Sequence, residues 1–142
     1  MQDVRRTVDY LESRPDIDRN RLTYLGYSYG AALGPTVLTL EERLKAGIVV
    51  RGSLCGCTPG SVRPEIDTLV YAPRVTAPIL MLNGKYDLTE PLETTVKPMF
   101  DLLGTPKENK KLVVYDTDHF VPRNEFMKET LAWLDRYLGP VK

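Results

Sequence analysis

The chain alternates short apolar runs with amphipathic stretches joined by brief connectors. Val4, Val8 and Leu11 recur at helical spacing until Pro15 stops the helix. After the polar turn from Asp16 to Asn20, Leu22-Thr23-Tyr24-Leu25 predicts a short buried strand that ends at Gly26. Ala31 to Leu40 predicts a second helix, bent at Pro35. Ala46 to Val50 predicts the next strand, and Pro78 to Asn83 a third of the fully buried kind. Between these two strands, residues 52–77 are rich in Gly and Pro and show no clear period. They read as a long connector, and long loops in small domains tend to carry function. Val96, Met99, Phe100 and Leu103 mark a helix entered through Pro91, interrupted or restarted at Pro98, and closed by Gly104 and Pro106. Leu112 to Tyr115 predicts the fourth strand. Met127, Leu131, Leu134 and Leu138 give the last helix its apolar stripe, which Gly139-Pro140 terminates.

Helices and strands in alternation predict an α/β fold, a mostly parallel sheet of about four strands with helices on both faces. At 142 residues the chain has room for one domain, 1–142, with its own core. No internal repeat or low-complexity tract interrupts it. Charge narrows the functional classes: 19 basic and 19 acidic residues cancel, and no basic stripe offers a nucleic-acid surface. The charged start Met1-Gln2-Asp3-Val4-Arg5-Arg6 lacks the apolar core of a signal peptide. No apolar run approaches the length of a membrane span, so a cytoplasmic protein without membrane partners is expected. Cys55 and Cys57 lie one residue apart, too close for an unstrained disulfide. With a single histidine they are too few for a metal site, so they read as free loop thiols and no metal is expected.

The chemistry concentrates in three places. Gly26-Tyr27-Ser28-Tyr29-Gly30 matches G-x-S-x-G, with a predicted strand running in and a predicted helix running out. That context places Ser28 on a sharp strand-to-helix turn, its hydroxyl lifted off the carboxyl end of the sheet. A serine hydroxyl needs a neighbouring base. The one histidine, His119, follows the fourth strand, so it reaches the sheet edge where open α/β sheets bind ligands. Asp87 follows the third strand by a short loop and lands on the same edge. The chain order Ser28, Asp87, His119 is the one expected of a nucleophile, acid and base in this fold. Asp116, Asp118 and Glu90 are alternatives for the acid; Asp87 needs no distortion of the His119 loop.

The segments Leu25 to Gly30, Ile79 to Asp87 and Val113 to His119 resemble the second half of α/β-hydrolases of the dienelactone hydrolase and prolyl-oligopeptidase-like branch. The resemblance is closest to the esterase-like domains joined to some bacterial serine/threonine kinases, and it covers nearly the whole chain. It implies a truncated α/β-hydrolase fold with Ser28 as nucleophile, Asp87 as acid and His119 as base. The backbone N–H of Tyr29 would be an oxyanion donor, and Tyr27 and the 52–77 loop would border the substrate. In the family several strands precede the helix that opens this chain, and a loop among them supplies a second oxyanion N–H. Only three residues precede Val4 here, so a longer protein or a naturally reduced hydrolase is expected.

The expected activity is hydrolysis of carboxylic esters of small acyl groups through an acyl-enzyme, with no cofactor. A peptidase or a thioesterase would use the same three residues. The competing class is a hydrolase-derived ligand-binding or regulatory domain of little or no activity, since losing one oxyanion donor costs about 100- to 1000-fold in turnover. The strand at Leu22 to Leu25, without its family neighbour, would leave an open apolar edge. A homodimer, or burial within a longer chain, is therefore expected.

Overall fold

The computed structural model describes residues 1–54 and 67–140. Cys55, Cys57 and the middle of the expected 52–77 loop lie outside the described residues. Four strands, β1 (Thr23–Tyr27), β2 (Ala46–Val50), β3 (Ile79–Gly84) and β4 (Lys110–Tyr115), form one parallel sheet in the order β1-β2-β3-β4. Tyr27 pairs with Val50, Val50 with Leu82, and Gly84 with Tyr115, so the carboxyl ends of all four strands share one edge.

The side-chain alternation of β2 and β3 explains how this sheet carries two cores. Val49, Ile79 and Met81 point to one face, where α1 (Gln2–Ser13), α2 (Tyr29–Leu40) and α4 (Lys97–Leu102) pack through Val8, Val37 and Met99. Ala46, Ile48, Val50, Leu80 and Leu82 point to the other, which α5 (Arg123–Leu138) covers with Trp133. Burying each large apolar side chain of this kind contributes about 1.5–3 kcal/mol. Central strands that are apolar on both faces are the sequence signature of a sheet so covered.

Several boundaries differ from the sequence expectation. β1 starts one residue later and runs on through Gly26 to Tyr27, because its ladder with β2 continues to the Tyr27–Val50 pair. The helix after it begins at Tyr29, and Pro35 sits inside it without ending it. The stretch read as structureless contains a one-turn helix, α3 (Thr68–Tyr71), continuing into a 3-10 turn, Ala72–Arg74. Asp67 caps α3 by accepting from Leu69 N, and Thr68 Oγ1 ties it to Ala32 O at 3.2 Å. Residues Leu92–Val96 form a π-turn, with Val96 N donating to Pro91 O at 3.3 Å, and α4 restarts with Pro98 in its first turn, as expected. Arg21 closes the far end of the fold, donating to Gly139 O and to Pro140 O at 3.1 Å where α5 stops.

Candidate active site

β1 delivers Ser28 to the sheet edge. Its backbone sits at φ 53°, ψ −112°, a strained conformation for a residue with a side chain, and its N–H donates to Val50 O at 2.9 Å. Gly26 makes the turn sterically possible: a Cβ there would lie 2.5 Å from Gly30 O. Tyr24 Oη donates to that same carbonyl at 2.6 Å and holds the helix entry down on the strand. Tyr29, the first residue of α2, presents a first-turn N–H that the helix itself cannot satisfy, while its ring is 74% exposed. Tyr27 leaves β1 on the α5 face and is also exposed.

Asp87 and His119 come from loops pressed against each other. Lys85 N donates to Tyr115 O and Tyr86 N to Thr117 O, at 2.8 and 2.9 Å. Gly84 permits this approach, since a Cβ there would fall 1.8 Å from Asp118 O. The result is a 2.5 Å hydrogen bond between His119 Nδ1 and Asp87 Oδ2. Asp87 is 3% exposed, and its other oxygen accepts from Thr89 Oγ1 at 2.6 Å, Thr89 N at 2.9 Å and Glu90 N at 3.1 Å. With those donors committed to Oδ1, Oδ2 is the acceptor for an Nδ1–H, which in the neutral imidazole leaves Nε2 free to act as a base. Thr89 Oγ1 also lies 2.9 Å from Nδ1, so one hydroxyl touches both acid and imidazole.

The alternative acids sit elsewhere. Asp116 is exposed and pairs loosely with Lys85 at 3.8 Å. Asp118 accepts from Phe120 N at 2.9 Å and shapes its own loop. Glu90 is hydrogen-bonded to Ser53, whose hydroxyl also donates to Leu54 O at 3.1 Å. Burial and the negative charge of Asp87 push the Glu90 carboxyl up to about 7, against the pull of Arg51.

Asp87 and His119 are thus brought together, and Ser28 stands on the same sheet edge. Among the described residues no hydrogen bond joins Ser28 Oγ to His119. Catalytic hydrogen bonds are often long before substrate binds and tighten with it. An apolar depression of about 450 Å³ opens beside Asp87, bordered by Tyr86, Leu88, Pro91 and Leu92. This is a segment to which the sequence assigned no pocket role. No three His, Cys, Asp or Glu side chains among the described residues converge to hold a metal ion.

Two residues at the site escaped sequence reasoning. Thr89 carried a weak signal, a hydroxyl two residues after a turn aspartate, where side-chain-to-backbone turns form. Arg51 carried a stronger one: a charge that directly ends the apolar run Ala46 to Val50 at the carboxyl end of a buried strand.

The chain is similar to known esterases and hydrolases. Cutinase 1 of Thermobifida cellulosilytica is 28% identical over 130 residues, covering 88% of this chain and 44% of the cutinase. A cold-adapted esterase from an Arctic intertidal metagenomic library superposes with a TM-score of 0.78 at 26% identity, over 96% of this chain and 57% of the esterase. A Klebsiella pneumoniae chain assigned as a dienelactone hydrolase shares the fold, with a TM-score of 0.77 at 24% identity, over 95% of this chain and 60% of its own. The chain spans about half the length of the relatives it matches. The family model described as serine hydrolase (FSH1) matches residues 3–131, nearly the whole sequence, and the chain belongs to that serine hydrolase family of the α/β-hydrolase fold.

Proposed function

We propose that the chain hydrolyses carboxylic esters of small acyl groups, with Ser28 as nucleophile, His119 as general base and Asp87 as the acid that orients it. The observation that carries this reading is the hydrogen bond from His119 to the buried Asp87 on the sheet edge that bears the strained Ser28 turn. His119 Nε2 takes the Ser28 proton as Oγ attacks the ester carbonyl, and Asp87 stabilises the imidazolium that forms. The developing oxyanion is held by the Tyr29 N–H at the start of α2, where the helix dipole adds its positive end. Collapse expels the alcohol with the proton from His119. Water then repeats the sequence on the acyl-serine, releasing the acid and restoring the enzyme. The esterase and cutinase relatives support ester chemistry, and nothing in this sequence of steps calls for a cofactor.

The test is hydrolysis of p-nitrophenyl acetate by the purified chain and its Ser28→Ala variant. Turnover should fall to the uncatalysed background in the variant while its circular dichroism spectrum stays that of the parent. Undiminished turnover in Ser28→Ala would remove the nucleophile and the mechanism with it.

A further inference from the structure

Arg51 is a buried cation that the steps above do not use. It follows Val50, the residue that pairs with Tyr27 and accepts the Ser28 N–H, so its backbone runs alongside the nucleophile turn. Its φ of 60° is a left-handed conformation that costs a side-chain-bearing residue energy. Arg51 N donates to Leu82 O at 2.8 Å, and Asn83 Nδ2 holds the next carbonyl, Gly52 O, at 3.0 Å, which together impose that turn. The guanidinium lies 4.1 Å over the Tyr27 ring and 5.8 Å from the Phe120 ring. Tyr27 precedes Ser28 and Phe120 follows His119, so the cation sits between the residues that flank nucleophile and base.

Arg51 is only 6% exposed, and its Nε and Nη1 donors have no hydrogen-bond partner among the described residues. Aromatic faces attract the charge but leave those donors unsatisfied. No carboxylate among the described residues forms an ion pair with Arg51. Glu90 acts on it only through space, its carboxyl hydrogen-bonded to Ser53 instead. A buried, unpaired charge is expensive, and an anion that accepts charge-assisted hydrogen bonds from the guanidinium would satisfy it.

We propose that Arg51 anchors an anionic group, such as a carboxylate, carried by the ester that Ser28 attacks. This substrate class rests on Ser28 being the nucleophile. The anion stands on either side of the scissile bond, and the two sides separate experimentally. Mono-p-nitrophenyl glutarate against p-nitrophenyl hexanoate places the charge on the acyl group. 4-Acetoxybenzoate against phenyl acetate places it on the leaving alcohol.

In the parent chain one anionic member should exceed its neutral counterpart in kcat/KM by about tenfold or more, the scale of a charge-assisted hydrogen bond. That ratio should collapse toward one in Arg51→Met. It should survive in part in Arg51→Lys, which keeps the charge without the fork and guards against a misfolded methionine variant. Calorimetric titration of free glutarate into Ser28→Ala supplies a readout independent of turnover, with binding lost on adding Arg51→Met. If glutarate binds through Arg51 but no Ser28-dependent hydrolysis occurs, the anion site stands and the esterase reading falls. Equal ratios in parent, Arg51→Lys and Arg51→Met, with no glutarate binding, would overturn the anion site and leave Arg51 as a prop for Tyr27.

Discussion

Asp87 receives three donors on one oxygen and the imidazole on the other, so its chemistry is set atom by atom. An Asp87→Asn amide would donate toward Nδ1 and drive His119 to the tautomer that carries its proton on Nε2, where it cannot act as a base. We expect kcat/KM for p-nitrophenyl acetate to fall by about 10³–10⁴, the scale of that substitution in other serine triads. Asp116→Asn and Asp118→Asn should change it by less than about fivefold, since one is an exposed ion pair and the other a loop bond. A larger loss in either would reassign the acid. Glu90 makes the second residue-scale prediction. Its carboxyl titrates near 4.5 when unperturbed and about 7 in the fold, so the folded state binds that proton more tightly than the unfolded chain. Stability from this group is therefore full below about pH 4.5, declines as pH rises toward 7, and stays lowered above. Glu90→Gln mimics the protonated form. Its Tm should match the parent near about pH 5 and exceed it near about pH 8, and an unchanged Tm difference across that range would contradict the assignment.

Elements were legible where a run was long enough to show its period. β2 occupies the residues the apolar run predicted, and the restart at Pro98 follows from a ring that has no N–H to give. α3 was not legible because a single turn cannot display a 3.6-residue repeat, and its stability comes from the Asp67 cap and from bonds to α2. The turn carrying Ser28 could be read from its glycines and its strand-to-helix context. Thr89 could not: its partner His119 is thirty residues away, and their contact depends on how two loops meet across Gly84. For Arg51 the charge ending the apolar run marks the residue, but its place beside Tyr27 follows from the β1–β2 register.

At the scale of the molecule, β1 is an edge strand among the described residues, paired on one side alone. Leu25 is 48% exposed on the face that α5 covers farther along the sheet, and Tyr27 is exposed beside it. Open, apolar strand edges of this kind recruit another strand. We propose that the 142-residue chain self-associates through this edge, most simply as a symmetric dimer. Sedimentation equilibrium at micromolar concentration should give a mass near twice the monomer's, reduced toward one by Leu25→Lys. A monodisperse parent monomer would refute the dimer. Among the described residues no helix is long and apolar enough to cross a membrane.

Hydrolysis by this site requires that Ser28 be a nucleophile activated by His119. Labelling with a fluorophosphonate probe, followed by peptide mass spectrometry, measures that directly. One adduct is expected, on the peptide containing Ser28, formed in the parent chain and lost in His119→Ala. An unlabelled Ser28 in a well-folded parent, or labelling that persists unchanged without His119, would contradict it.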